Sequence, residues 1–439
     1  MKTLRSLFTA ALTLALASTA APARAADESP FKFEFHGFVV GTLYLQDQTF
    51  LFGQGSGLLG TAPAPANEVP RPGNATDKSG TFLAADVRQT RPIFVISGPE
   101  ALGAKPKAHL EFDLFGNPNP GAYGYEQPTV RLRQAYAELK WGNTTFDAGQ
   151  HSAQLVLSQI PTSVAHITNP VTFGAGLLGW RSIGFRVSHA IPMDSMKLEL
   201  AAELSHGKWA DVNAAGVVFP GNAPNQISLA WASSMPQIVA RVKADGKSGD
   251  FSWMGYLAGS YEKIDLKGFG STNAPNGVTL QDGSVETGLS SYAGVVGVRL
   301  GYSPVALNGQ VYTGRGTAPM FGSLAQFGDI GDFGYYVEAG VNITKQFSLW
   351  AITGACAVDE DDLQNWGNPA GTALTPANTG LRSDNQLFGG MLRYMDGGYA
   401  FAAEFYTYNT DWLQGNLATP LPSISTSAYQ FLVSAGYFF

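Results

Sequence analysis

The sequence has one cysteine, Cys356, in 439 residues, so it forms no intrachain disulfide, and no metal or redox role follows from it. Its 6 histidines are scattered without ligand spacing, which leaves no histidine metal site to argue for. Charge is scarce, at 14% of residues, and basic residues are outnumbered, with 27 Lys and Arg against 34 Asp and Glu. That balance argues against a nucleic-acid partner. Beyond residue 25 no run of about 18 apolar residues occurs, which excludes membrane-spanning helices.

What is abundant is glycine, with 52 residues, and aromatic residues, at 12%. Near the start, Lys2 and Arg5 precede an apolar run from Leu7 to Ala20, and Ala23-Arg24-Ala25 offers a small-residue cleavage site. This reads as a secretory signal peptide over residues 1–25, removed on export, with a mature net charge of about −10. The mature chain, 26–439, then alternates with period two. Phe31, Phe33, Phe35, Val39, Leu43 and Leu45 interleave with Lys32, Glu34, His36, Thr42, Tyr44 and Gln46. At the other end, Tyr429, Phe431, Val433, Ala435, Tyr437 and Phe439 occupy every second position, with small or polar residues between most of them. Strands with one apolar face, in an exported chain without apolar helices, imply a closed membrane barrel.

Sixteen such strands can be laid out, the first from Phe31 to Gln46 and the last from Ser425 to Phe439. Odd strands are followed by polar loops of roughly 12 to 33 residues and even ones by turns of roughly 2 to 9, the asymmetry of an outer-membrane barrel with periplasmic turns. The fold class expected is therefore all-β: a transmembrane antiparallel barrel in the bacterial outer membrane, with both termini periplasmic. The last strand must pair with the first. The aromatics Trp141, Phe146, Trp253, Tyr302, Tyr335, Tyr336, Tyr399, Tyr406, Tyr408 and Tyr437 read as interfacial girdles, and Cys356, sharing a face with Trp350, Ile352 and Val358, reads as lipid-facing.

Function is sought in charge that strands carry at mid-length, because a cation facing hydrocarbon costs a barrel about 2–4 kcal/mol. Arg88, Arg91, Lys107, His109, Arg131, Arg133, Arg181 and Arg186 are such residues, with Asp86, Glu111, Asp113 and Asp147 among them. They either form a basic ladder whose transverse field favours anions, or pair with one another and merely solvate the lumen. Arg88 and Arg91 differ in parity, so both face inward only if a bulge intervenes at Gln89-Thr90 or an arginine snorkels. The segment 153–179 is too apolar for a solvated loop and is read as folding into the barrel; packing on a neighbouring subunit is the alternative. Asp359-Glu360-Asp361-Asp362 reads as a solvated acidic loop, with divalent-ion binding as the sharper alternative.

Two stretches resemble known proteins. The terminal strand resembles the final strand of bacterial outer-membrane barrels, in which the last aromatic, here Phe439 with Tyr437, is an assembly signal read by the barrel-assembly machinery. Arg131-Leu132-Arg133-Gln134-Ala135-Tyr136, Ala148-Gly149-Gln150, the long loop after strand five and Arg181 resemble the trimeric general-porin superfamily. With Arg91 and Leu110-Glu111-Phe112-Asp113-Leu114-Phe115-Gly116 they look closest to the DcaP-like branch. The resemblance implies a sixteen-stranded homotrimer with a constriction loop after strand five, passing small and often anionic organic solutes. It carries over Arg91, Glu111, Asp113, Arg131, Arg133, Gln150 and Arg181 as pore-lining residues. The chain departs from the family in having no carboxylate in that loop.

The expectation is a passive outer-membrane channel for small solutes and ions, in contact with outer-membrane lipid and lipopolysaccharide. No cofactor, no metal and no catalysis are called for. The rivals are an adhesive or structural barrel plugged by its loops, and a barrel phospholipase; for the latter, Ser188 and His189 are adjacent and so point to opposite faces.

Overall fold

The computed structural model describes residues 30–47, 61–62, 80–116, 128–206, 235–265, 278–317, 320–325, 328–367, 381–416 and 418–439. The signal-peptide reading lies outside them. The strands are β1 (Lys32–Gln46), β2 (Phe82–Asp86), β3 (Arg91–Ser97), β4 (Lys105–Asp113), β5 (Arg131–Trp141), β6 (Thr144–His151), β7 (Ser182–Pro192), β8 (Met196–His206), β9 (Gln237–Ser248) and β10 (Phe251–Asp265). There follow β11 (Val278–Thr279), β12 (Val285–Glu286), β13 (Gly288–Tyr302), β14 (Val305–Arg315), β15 (Gly331–Asn342), β16 (Phe347–Val358), β17 (Arg382–Asp396), β18 (Tyr399–Asn416) and β19 (Thr419–Phe438). A single described helix, α1, spans Glu360–Gly367.

From β3 to β10 and from β13 to β19 each strand pairs antiparallel with the next, β10 pairs with β13, and β19 returns to pair with β1, with Phe38 opposite Phe438 and Gln46 opposite Gln430. The sheet closes on itself. Strands β2 and β3 both pair with β1 and form one broken stave, so the closed barrel has sixteen. The β11–β12 hairpin stands apart from it.

Side-chain alternation sorts two walls. On β19, Phe431, Val433, Tyr437 and Phe439 are exposed outward, while Ala428, Gln430, Leu432 and Ser434 are buried inward. Phe33, Phe35, Val39 and Leu43 of β1 continue the outer apolar band. Trp141, Tyr302, Tyr335, Tyr399 and Tyr437 face out near strand ends, as girdle residues should.

Three tyrosines and the cysteine do not. Tyr336, Tyr406 and Tyr408 are buried inside the barrel, and Cys356 is fully buried with its Sγ 3.0 Å from the Tyr312 hydroxyl. The outer row of β16 is instead Phe347, Leu349, Ala351, Thr353 and Ala357. The usual pattern of polar inside and apolar outside fails here for a physical reason. This half of the lumen is filled by loops, so its inner wall is a protein core rather than a wet surface, and β16 is apolar on both faces.

The broken stave supplies a bulge, one of the two ways in which Arg88 and Arg91 could both face inward. Thr42 pairs with Asp86 and Phe38 with Arg91, so β2–β3 carries one residue more than β1 over the same span. The turn is closed by Thr90 N–H donating to Val87 O at 3.0 Å. Opposite it, Gly37 has φ +148°, and a Cβ there would lie 2.1 Å from Arg91 O, so only glycine lets the strands close over the break.

Candidate functional site: a loop-narrowed lumen

The loop 153–179 runs inside the barrel. It is held to the wall of β14–β18 by two carboxylates. Glu338 accepts from Thr162 N at 2.8 Å and Thr162 Oγ1 at 3.1 Å. Glu404 accepts from Ser163 Oγ at 2.6 Å, from Val164 N and Ala165 N at 2.8 Å, and from Tyr406 O–H at 2.6 Å. Backbone donors inside a barrel need partners or cost about 1–3 kcal/mol each, and these carboxylates are the partners.

Further along, Asn385 donates to Gly174 O at 2.8 Å and Gln310 to Gly176 O at 3.1 Å. Gly176 has φ +104°, and a Cβ there would sit 2.0 Å from Tyr335 O, so the loop lies directly on the backbone of β15. A second inward segment, 320–325 between β14 and β15, clasps the first. Gly174 N–H donates to Gly322 O at 2.7 Å, Gly179 N–H to Phe321 O at 2.9 Å, and Phe321 packs edge-on against Phe173 at 5.2 Å. Helix α1 adds Leu363 and Trp366 to the buried apolar cluster that holds Met320 and Leu324. The acidic stretch at 359–362 is therefore not a loop. Asp359 caps the helix, accepting from Asp362 N at 2.9 Å, and Asp362 is bound by Arg315 at 2.7 Å.

The opposite wall, β2 to β8, carries the charged residues expected from the sequence. Most are paired. Arg88 and Asp86 are bound at 2.7 Å with both side chains almost wholly buried, and Arg88 also lies 4.4 Å over the Phe115 ring. Arg131 meets Asp113 at 2.7 Å; Arg133 bridges Glu111 at 2.7 Å and Asp113 at 3.0 Å; Arg91 lies 3.3 Å from Glu111. Arg91 Nη2 also donates to Thr168 Oγ1 of the inward loop at 3.1 Å. Arg186 pairs with Glu203 at 2.7 Å. Arg133 is delivered by a second bulge, since Glu111 pairs with Gln134 and Phe112 with Leu132, which skips it.

Gln150 does not line the pore. It pairs with Ala135 on the outer side, and its amide donates to the carbonyls of Leu132 and Arg133 at 3.2 and 2.9 Å, satisfying acceptors that the bulge leaves unpaired. His109 stacks on Tyr136 at 5.1 Å, and Tyr136 on His151 at 4.7 Å. Lys107 lies lower, near the turns, 3.8 Å from Glu138.

Arg181 differs from the others. Among the described residues it has no carboxylate partner; its guanidinium lies 4.5 Å over Trp180, and its Nη1 is buried without a hydrogen-bond partner. Burial first, then the guanidinium groups of Arg131 and Arg133, push its pKa well below the usual guanidinium range. The region around it has a positive potential. Side-chain exposure rises from 8% at Arg133 to 44% at Lys107 and 46% at Lys197, so the lumen is tightest at the arginines and opens toward the short-turn end.

Sequence reasoning missed Glu338 and Glu404. The signal was there: each is a lone carboxylate in mid-strand, the same feature that drew attention to the arginines.

A closed sixteen-stave barrel with an apolar outer band and an inward loop is the fold of bacterial outer-membrane porins. The sequence matches no protein-family model and no curated protein. The chain is similar in structure to the outer-membrane channel DcaP of Acinetobacter baumannii, at 14% identity and TM-score 0.62, covering 95% of this chain and 100% of that one. It is also similar to the anion-selective porin from Comamonas acidovorans, at 10% identity and TM-score 0.51, over 93% of this chain and 100% of that one. A third is OprB of Pseudomonas putida, at 10% identity and TM-score 0.50, over 93% of this chain and 94% of that one.

Proposed function

We propose that the protein is a passive outer-membrane diffusion channel for small hydrophilic solutes, biased toward organic anions and working as a homotrimer after removal of residues 1–25. The observation that carries the reading is the division of the lumen: an apolar loop narrows it, anchored mainly by carboxylates on one wall, and a charged wall, which the loop touches at Thr168, borders what remains. Five arginines (Arg88, Arg91, Arg131, Arg133 and Arg181) share that region with three carboxylates (Asp86, Glu111 and Asp113), which leaves a cationic excess at the narrowest level. A fixed positive field in a confined aqueous path favours anions. The anion-selective character of a structural neighbour is consistent with this.

A plugged, non-conducting barrel has one observation in its favour, the depth of the apolar cluster that the inward loops and α1 build. A lipase has none, because Ser188 turns inward while His189 lies on the exposed outer face. Liposome swelling separates the first two. Vesicles containing the purified protein should swell in isotonic arabinose, and faster in isotonic acetate than in a cation of the same size. Vesicles that do not swell in either solute would establish the plugged barrel.

A further inference from the structure

The wall that holds the loop also carries two arginines that the basic ladder does not include. Arg299 of β13 has the same parity as the inward Ala293, Val295 and Gly297, while Val296, Val298 and Leu300 face out. Arg299 nevertheless is exposed, which places it in the water of the short-turn vestibule. It has no hydrogen bond or ion pair among the described residues. Arg393 of β17 also faces inward three residues before its strand ends. Its Nε donates only to Ser348 Oγ at 3.3 Å, and its guanidinium lies 5.6 Å over the Trp350 ring.

Arg299 lies opposite Asn308, which lies opposite Glu338, and Arg393 lies opposite Ala402, two residues before Glu404. Neither forms an ion pair with them. For Glu404 the reason is occupancy, and Glu338 is close to full. A carboxylate offers about four lone-pair sites; Glu404 receives four donors from the loop and Tyr406, and Glu338 receives two from Thr162 and one from Asn308 Nδ2 at 3.3 Å. The acids on this wall are used to hold the loop, and neither base beside them has a carboxylate partner among the described residues.

We propose that Arg299 and Arg393, on staves four apart, are two further anion contacts beneath the loop on its periplasmic side, which make up a lower station for carboxylates or other small oxyanions after the constriction. The proposal rests on the channel reading. At the constriction each arginine except Arg181 is already bound to a carboxylate, so a passing solute must compete with an internal partner. At this lower station it does not, and a planar guanidinium presents forked donors that match a carboxylate or phosphate edge.

The test uses full-length protein in planar bilayers, with reversal potentials in gradients of potassium chloride and potassium acetate. In the double variant Arg299→Gln/Arg393→Gln the anion-to-cation permeability ratio should fall by about threefold or more, with the larger change in acetate. The variant Arg299→Lys/Arg393→Lys keeps the charge and should retain most of the chloride ratio while losing part of the acetate preference. Arg299→Gln alone, at an exposed position, guards against misfolding and should give an intermediate ratio. Unchanged ratios in the double and single Gln variants overturn this proposal alone. Absence of conductance from the wild-type protein overturns the channel reading, and this proposal with it.

Discussion

The two walls of this barrel spend their charge differently. On the β2–β8 wall, acid and base neutralise each other: Asp86 with Arg88, Asp113 with Arg131, Glu111 and Asp113 with Arg133, Glu203 with Arg186. On the β13–β18 wall, Glu338 and Glu404 are taken by loop donors, and Arg299 and Arg393 are left unpaired. The first arrangement makes a fixed field and touches the loop at a few points, Arg91 and Gln89 at Thr168 and Glu203 at Leu155 N. The second makes a loop anchor and, as a by-product, free cations. A buried charge must be satisfied by something, and whether that partner is another side chain or a loop backbone decides what remains for a solute.

The comparison can be broken at the anchor. Glu404→Ala leaves Ser163 Oγ, Val164 N and Ala165 N without their acceptor, at about 1–3 kcal/mol for each donor that stays buried. The loop should leave this wall, and limited proteolysis within 153–179 should become fast where the wild-type protein resists. Gly176→Val attacks the same contact from the loop side, since its side chain has no room against Tyr335 O. A smaller gain in protease sensitivity is expected there, because both carboxylate anchors remain.

On the other wall the expected outcome is a loss of stability with the loop still in place. Arg133→Gln removes one partner of a buried network, a change that costs about 3–5 kcal/mol when the carboxylate is left uncompensated. Glu111 and Asp113 keep Arg91, Gln134 and Arg131, so the loss should fall toward the lower end, read as a lower unfolding temperature in detergent. If Arg133→Gln instead releases the loop, or Glu404→Ala leaves it protected, the assignment of separate roles to the two walls is wrong.

Much of this was legible in the sequence. Period-two alternation in β1 and β19 gave the barrel, its closing pair and its outer face, because a lipid-facing row tolerates no charge. The parity conflict between Arg88 and Arg91 located a bulge that the structure places at Val87–Thr90. The second bulge, at Arg133, was not legible: Arg131 and Arg133 share parity and raise no conflict, and it shows only in the register with β4 and in the way Gln150 seals it.

The faces of β16 and of Tyr336, Tyr406 and Tyr408 were misread for a related reason. A strand apolar on its inner side looks, in sequence, like one whose apolar side faces lipid; only the loop's burial against that wall tells them apart. The resemblance to porins over residues 86–187 pointed to the charged wall and passed over Glu338, Glu404, Arg299 and Arg393, which lie outside it.

The most direct test of the division of labour is the single-channel conductance of the wild-type protein beside that of Glu404→Ala, in the same potassium chloride solution. A loop fixed in the lumen by the Glu404 carboxylate predicts a small, steady wild-type conductance, and a larger, noisier one when the anchor is removed. Equal conductances in the two proteins would contradict it.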